Sequence, residues 1–221
     1  EEYGIARRSR ITVLPLGLDL DAFARVPRQS GDFRSAHSIA PDVPLIGIVG
    51  RLVPIKNHEL FLQAAVKVRE RLPNACFAII GDGELRAELE ATTARLGLTD
   101  CVRFVGWVRE VAPVYSDLDA LVISSRNEGT PVSVIEALSA RCPVVTTAVG
   151  GLPDLLDQGA LGTLVPTEDV NALADAIVRT VTAPPDTTRA QQLMLDRYGI
   201  DRLVMDLDQL YRGILAKKGK L

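Results

Sequence analysis

The stretch "ALVISSRNEGTPVSVIEALSARCPVVTT", residues 120–147, contains the unit from which the fold reads. Ala120 to Ile123 and Val144 to Thr147 are continuous apolar runs. Neither alternates polar with apolar residues, so each predicts a strand buried on both faces, as in a parallel sheet. Between them Thr130 suits a helix N-cap and Pro131 the first helical position, and a helix follows. Two glutamates stand eight residues apart around this turn: Glu128 in the loop after the first strand, Glu136 inside the helix.

Working outward, the same alternation recurs. Apolar runs at Ile11 to Leu14, Leu45 to Val49, Cys76 to Ile80, Val102 to Val105 and Gly162 to Val165 read as further strands. Helical periodicity fills the gaps. From Asn57, a good N-cap, residues Leu60, Phe61, Ala64, Ala65, Val68 and Leu72 repeat at helical spacing until Pro73. Leu85, Leu89 and Leu96 form a stripe closed by Gly97. Asp169 to Val181 and Asp201 to Ala216 complete the set. Strand alternating with helix predicts an α/β fold, a Rossmann-like parallel sheet with helices on both faces. Residues 1–43 break the pattern and read as an N-terminal strand and connection, residues 44–200 as the Rossmann-like domain, and 201–221 as a C-terminal helix.

The bulk numbers exclude several classes. The chain has 221 residues, is 47% hydrophobic and carries a formal net charge of -3. A general nucleic-acid binder would show a strong basic excess, so no nucleic-acid partner is expected. No transmembrane segment or signal peptide is visible. Cys76, Cys101 and Cys142 are far apart, each in or beside an apolar run, and read as buried free thiols in a reducing compartment. No metal site is expected. "Asp-Leu-Asp" occurs at 19, 117 and 206, and the copy at 117–119 precedes a strand, at the wrong end of the sheet for a nucleotide-bound metal.

In open parallel sheets ligands sit beyond the carboxyl ends of the strands. After Leu45 to Val49 come Gly50, Arg51 and Lys56, then a helix start. Two cations and a helix dipole make an anion site, although two solvated surface charges would look the same. His58 reads as helix surface. After Cys76 to Ile80, "GDGEL" is either a tight turn or a ligand loop, and no G-x-G-x-x-G is present. After Val102 to Val105 comes Gly106–Trp107–Val108. Trp107 either lines a pocket for a flat base or packs at the domain edge, and the backbone of Gly106 to Val108 can read a base edge. Gly150 and Gly151 allow close approach of a ligand or a simple turn.

The amides at the start of the helix near Pro131 can hold a phosphate. A carboxylate would repel that phosphate but accepts hydrogen bonds from vicinal hydroxyls. Glu128 and Glu136 therefore suit a ligand with a phosphate centre and a sugar on each side, as in a nucleoside diphosphate sugar. One capping and one surface glutamate is the plainer alternative.

"GRLVPIKN", "IIGDGEL", "VRFVGWV", "SSRNEGTPVSVIEALSARCPVVTTAVGGLPDLL" and "GTLVPTEDVNALADAI" occur in this order. Together they closely resemble the C-terminal, donor-binding domain of the family 4 retaining glycosyltransferases of the GT-B fold, from about residue 11 to 182. The E-x7-E motif of that family is matched by Glu128 and Glu136. The resemblance implies a cytoplasmic, retaining, hexosyltransferase-type enzyme that needs no metal or other cofactor and takes a UDP-, GDP- or ADP-linked sugar. It implies that Arg51 and Lys56 bind the diphosphate and that Glu128 contacts the transferred sugar. Gly129, Thr130, Pro131 and Val132 would offer backbone groups to sugar and phosphate, Glu136 would bind the ribose, and Gly106 to Val108 would hold the base.

The family often has Glu where Asp154 stands, and Gly where Asn57 stands. A complete GT-B enzyme has two such domains with the site between them. The chain therefore reads as the donor half, inactive alone, whose last helix crosses to an N-terminal domain that supplies a sugar or lipid-linked acceptor. A lipid acceptor would place the enzyme on the inner membrane face. The alternatives are a GT-B-like nucleotide- or sugar-binding module without transfer, and a UDP-sugar epimerase, against which the E-x7-E pair argues.

Overall fold

The computed structural model describes residues 11–217, so the segments expected at 1–43 and 201–221 extend past the described residues at each end. Two short helices, α1 (Asp21–Arg25) and α2 (Asp32–Ala36), precede β1 (Leu45–Val49). A 3-10 turn at Pro54–Lys56 leads into α3 (His58–Arg71). Then follow β2 (Cys76–Ile80), α4 (Arg86–Arg95), β3 (Val102–Gly106), α5 (Ala112–Asp117) and β4 (Ala120–Ile123). The chain continues through α6 (Val132–Ser139), β5 (Val144–Thr147), α7 (Leu152–Leu155), β6 (Thr163–Val165), α8 (Val170–Thr182), α9 (Thr188–Tyr198) and α10 (Ile200–Lys217).

The six strands form one sheet in the order β3-β2-β1-β4-β5-β6, and every pairing is parallel. Every residue of β2, β4 and β5 is buried, as their continuous apolar runs require. The two-residue period of the strands divides the core. Cys76, Ala78, Ile80, Leu121, Ile123 and Val144 face a layer that includes α5, α6 and α9. Phe77, Ile79, Val122 and Val145 face a layer of α3, α4 and α8. All three cysteines are buried and unpaired. No helix among the described residues is long and apolar enough to cross a membrane.

The expected strand at Ile11 to Leu14 does not form. Residues 11–17 are irregular, Val13 is 83% exposed, and Pro15 has no N–H to give to a ladder. The segment is tied down beside α9 and α10 instead. The Leu18 N–H donates to the Tyr198 carbonyl at 2.7 Å, and Arg202 donates to the carbonyls of Pro15 and Leu16. Helices α5 and α9 were not expected. α5 carries Pro113 in its first turn, and α9 follows Pro184 and Pro185, which read in sequence as a break.

The Asp-Leu-Asp at 117–119 has a structural task. Asp117, fully buried, accepts from the backbone N–H of Gly31 at 2.8 Å and of Arg34 at 3.1 Å. Asp119 pairs with buried Arg34 at 2.9 Å and accepts from the Leu45 N–H at 2.8 Å. Arg34 also donates to the carbonyls of Ala40 and Val43. This network fastens the connection before β1 to the amino-terminal end of β4, away from the strand ends where a ligand would lie. Removing one member leaves buried donors without acceptors. Asp117→Ala is expected to lower the urea-derived unfolding free energy by about 3 kcal/mol. A loss under about 1 kcal/mol would mean that the network is dispensable.

Candidate functional site

The sheet order reverses between β1 and β4, so the loops leaving these neighbouring strands run apart and open a crevice. The β1 loop carries Gly50, Arg51 and Lys56, and the β4 loop carries Glu128. Lys56 Nζ lies 2.7 Å from Glu128 Oε1, and Ser125 Oγ donates to the same oxygen at 2.6 Å. Two residues 72 positions apart thus form one partly buried charge pair. Arg51 is exposed just past the end of β1.

Several contacts fix this geometry. Arg126 donates its N–H to the Ile55 carbonyl at 2.9 Å, and its guanidinium to the Pro54 carbonyl and to Glu168. Ser124 Oγ donates to the carbonyls of Lys56 and Asn57. Asn57 does occupy the cap position of α3, but its side chain does not cap the helix. It adopts the left-handed conformation, φ 50°, and donates to Glu168. Asn tolerates that conformation better than other non-glycine residues, which gives a physical reason for Asn here. On the other side of Glu128, Gly150 has φ 53°, and any Cβ there would overlap the Glu128 carbonyl. The Gly151 N–H donates to that carbonyl at 3.1 Å. The Gly-Gly pair therefore serves close approach between two backbone segments.

Helix α6 begins at Val132, with Pro131 at the cap position and no side-chain cap. Thr130 is exposed and does not cap, contrary to expectation. Proline prefers the first turn, but here ψ of Pro131 is 100°, outside the helical range, so the helix starts one residue later. The first amides of α6 are left for solvent or a ligand. Gly129, Thr130 and Val132 are exposed at this helix start, and Pro131 is buried.

One turn further on, Glu136 lines a cavity of about 640 Å³ together with Val49, Gly50, Arg51, Ile80, Asp82, Trp107, Val108 and Arg109. Its Oε2 accepts from Tyr115 Oη at 2.9 Å. Burial pushes the Glu136 carboxyl above its usual range, and the Tyr115 hydrogen bond pulls partly back. Trp107 stands on the cavity wall with 75% of its surface exposed. Gly106 has a structural part at the end of its strand. Its carbonyl accepts from the Gly81 N–H at 2.8 Å, and its φ of 81° ends β3. Gly81 in turn packs so tightly on the Gly50 carbonyl that no Cβ fits. The "GDGEL" loop thus makes a tight backbone contact, and both Gly81 and Asp82 line the cavity. Tyr115, Ser125 and Arg109 also lie here and had no sequence signal of their own, while Asp82 was legible only within the "GDGEL" loop.

His58 is not on the surface. It is 1% exposed, and neither ring nitrogen has a partner among the described residues. Burial, and then the Lys56 charge, lower its pKa to about 4 from 6.5.

Residues 43–183 match the family model of the glycosyl transferases group 1. The chain belongs to that family. This group 1 glycosyl transferase is 32% identical over 187 residues to the D-inositol 3-phosphate glycosyltransferase of Actinosynnema mirum, covering 80% of this chain and 44% of that protein. It is 29% identical over 224 residues to the 2-deoxystreptamine glucosyltransferase of Streptomyces kanamyceticus, covering 98% of this chain and 58% of that one. The chain spans about half the length of the curated relatives it matches. Among solved structures, HepE of Anabaena in complex with UDP and glucose is similar with a TM-score of 0.85 at 20% identity, over 96% of this chain and 59% of that one. Sucrose-phosphate synthase of Thermosynechococcus elongatus follows at 0.81 and 24%, over 98% and 55%. The fold of this group 1 glycosyl transferase is thus that of one half of a GT-B enzyme.

The His58 burial makes stability pH-dependent. In the unfolded chain the ring gains a proton near pH 6.5, and in the folded chain only near pH 4. The folded state therefore loses stability as pH falls between these values, by about 3 kcal/mol from this group. Wild type and His58→Leu compared by urea unfolding at pH 7 and pH 4.5 should show a smaller drop in the variant. Equal drops would mean that His58 is not held neutral.

Proposed function

We propose that this chain is the nucleotide-sugar-binding half of a retaining glycosyltransferase, which moves a sugar from a nucleoside diphosphate to an acceptor hydroxyl without a metal. The observation that carries the reading is the arrangement at the β1–β4 crevice. The cations Arg51 and Lys56 and the carboxylates Glu128 and Glu136 flank the uncapped start of α6.

In this reading the diphosphate lies over the first amides of α6, between Arg51 and Lys56. Lys56 then exchanges its contact with Glu128 for one with phosphate. Glu128, still held by Ser125, keeps Oε2 for a hydroxyl of the transferred sugar. Glu136 takes the ribose hydroxyls, and the base enters the cavity walled by Trp107, Val108 and Arg109. When the anomeric carbon–oxygen bond breaks, its electron pair goes to the departing diphosphate oxygen, and the acceptor oxygen forms the new bond on the same face as its proton passes to that diphosphate oxygen. Arg51, Lys56 and the helix dipole stabilise the charge that develops on the leaving group. This is the part a divalent ion would otherwise play. The acceptor, a sugar or a lipid-linked sugar, is met by the rest of the protein. Named relatives use different donors: one is a GDP-mannose-dependent mannosyltransferase, another a UDP-Gal galactosyltransferase. Backbone and carboxylate contacts of the kind described would serve either, or ADP.

In the intact enzyme, Arg51→Ala and Lys56→Ala are each expected to lower kcat about 10²- to 10³-fold, with thermal unfolding little changed. Turnover close to wild type in either variant would remove that residue from the leaving-group role.

A further inference from the structure

Glu136 is placed by a residue that nothing in its own helix supplies. Tyr115 lies on α5, on the same side of the sheet as α6, and is fully buried. Its ring packs at a tilt against Phe23, with centroids 6.0 Å apart. The only polar atom of this side chain donates to Glu136 Oε2 at 2.9 Å. Glu136 is less deeply buried and lines the cavity. Among the described residues its Oε1 has no hydrogen-bond partner.

We propose that Tyr115 is a positioning residue that fixes the Glu136 carboxylate by one oxygen and so presents the other to the ribose hydroxyls of the nucleotide. The inference rests on the reading that Glu136 meets the ribose. A glutamate has three side-chain torsions, and a free one would have to be ordered each time a ligand bound. A buried phenol anchored by its own packing removes that cost beforehand. The donor is constant, because burial and the neighbouring carboxylate raise the ionisation of Tyr115 well above its usual range. A buried tyrosine needs a hydrogen-bond partner for its own stability too, so the test must separate positioning from mere satisfaction.

UDP, GDP and ADP, each beside its 2′,3′-dideoxy counterpart, are titrated calorimetrically into wild type, Tyr115→Phe and Glu136→Gln. Phe keeps the ring and removes only the donor. Wild type should prefer the ribose form of at least one nucleotide by about tenfold or more. Tyr115→Phe should shrink that ratio toward one with dideoxy affinity unchanged. A purely structural role predicts equal losses for both ligands, which would overturn the inference, as would a wild-type ratio in Tyr115→Phe. If the phenylalanine variant does not fold, site-specific 3-fluorotyrosine at 115 strengthens the donor and should widen the ratio; an unchanged ratio counts against the proposal. If Glu136→Gln loses the ratio and Tyr115→Phe keeps it, only the positioning role fails. If wild type shows no ribose preference, or binds none of the three, the ribose reading of Glu136 fails and the inference with it.

Discussion

The crevice at the reversal of strand order is the constraint on which everything else in this chain depends. Adjacent strands β1 and β4 send their following segments to opposite faces of the sheet, α3 on one side and α6 on the other. The space between the departing loops cannot be filled by either helix. Residues far apart in sequence meet there because they leave neighbouring strands. The Lys56–Glu128 contact spans this gap, and its supports come from three loops: Ser124 to Arg126, Glu168 and Gly150–Gly151.

The charges at the crevice are poised rather than spent. Glu128 Oε1 holds both Lys56 and Ser125, and Glu136 Oε2 holds Tyr115. Each carboxylate is oriented through one oxygen by the protein. Lys56 has a neutralising partner in Glu128, which limits the cost of holding a cation in a partly buried place. A phosphate that attracts Lys56 must compete with Glu128, and the uncapped α6 amides add to its side of that competition. Loops held by several contacts, with partners that can exchange, suit a site that receives an anion.

The sheet was legible in the sequence because its central strands are buried on both faces. Cys76–Ile80, Ala120–Ile123 and Val144–Thr147 are uninterrupted apolar runs and form as read. Ile11 to Leu14 has the same look, but both edges of the sheet lie elsewhere and it has no strand to join. Helix α5 has six residues, too few to show a period, and Tyr115 went unseen with it. The candidate site was legible where chemistry follows chain order, as for Arg51, Lys56, Glu128 and Glu136 after their strands. It was not legible where contacts cross the fold. His58 sits at a helix start that looks solvated until α3 is laid on the sheet. Gly81 and Gly150 read as ligand-facing or turn glycines, while what they permit is one backbone segment lying on another.

The most direct test of the account is a crystal structure of this chain soaked with a nucleoside diphosphate. The diphosphate is expected over the start of α6, with Lys56 turned from Glu128 to phosphate and the ribose within hydrogen-bond distance of Glu136. A nucleotide bound elsewhere, or one bound here with Lys56 still on Glu128 and Glu136 untouched, would contradict it.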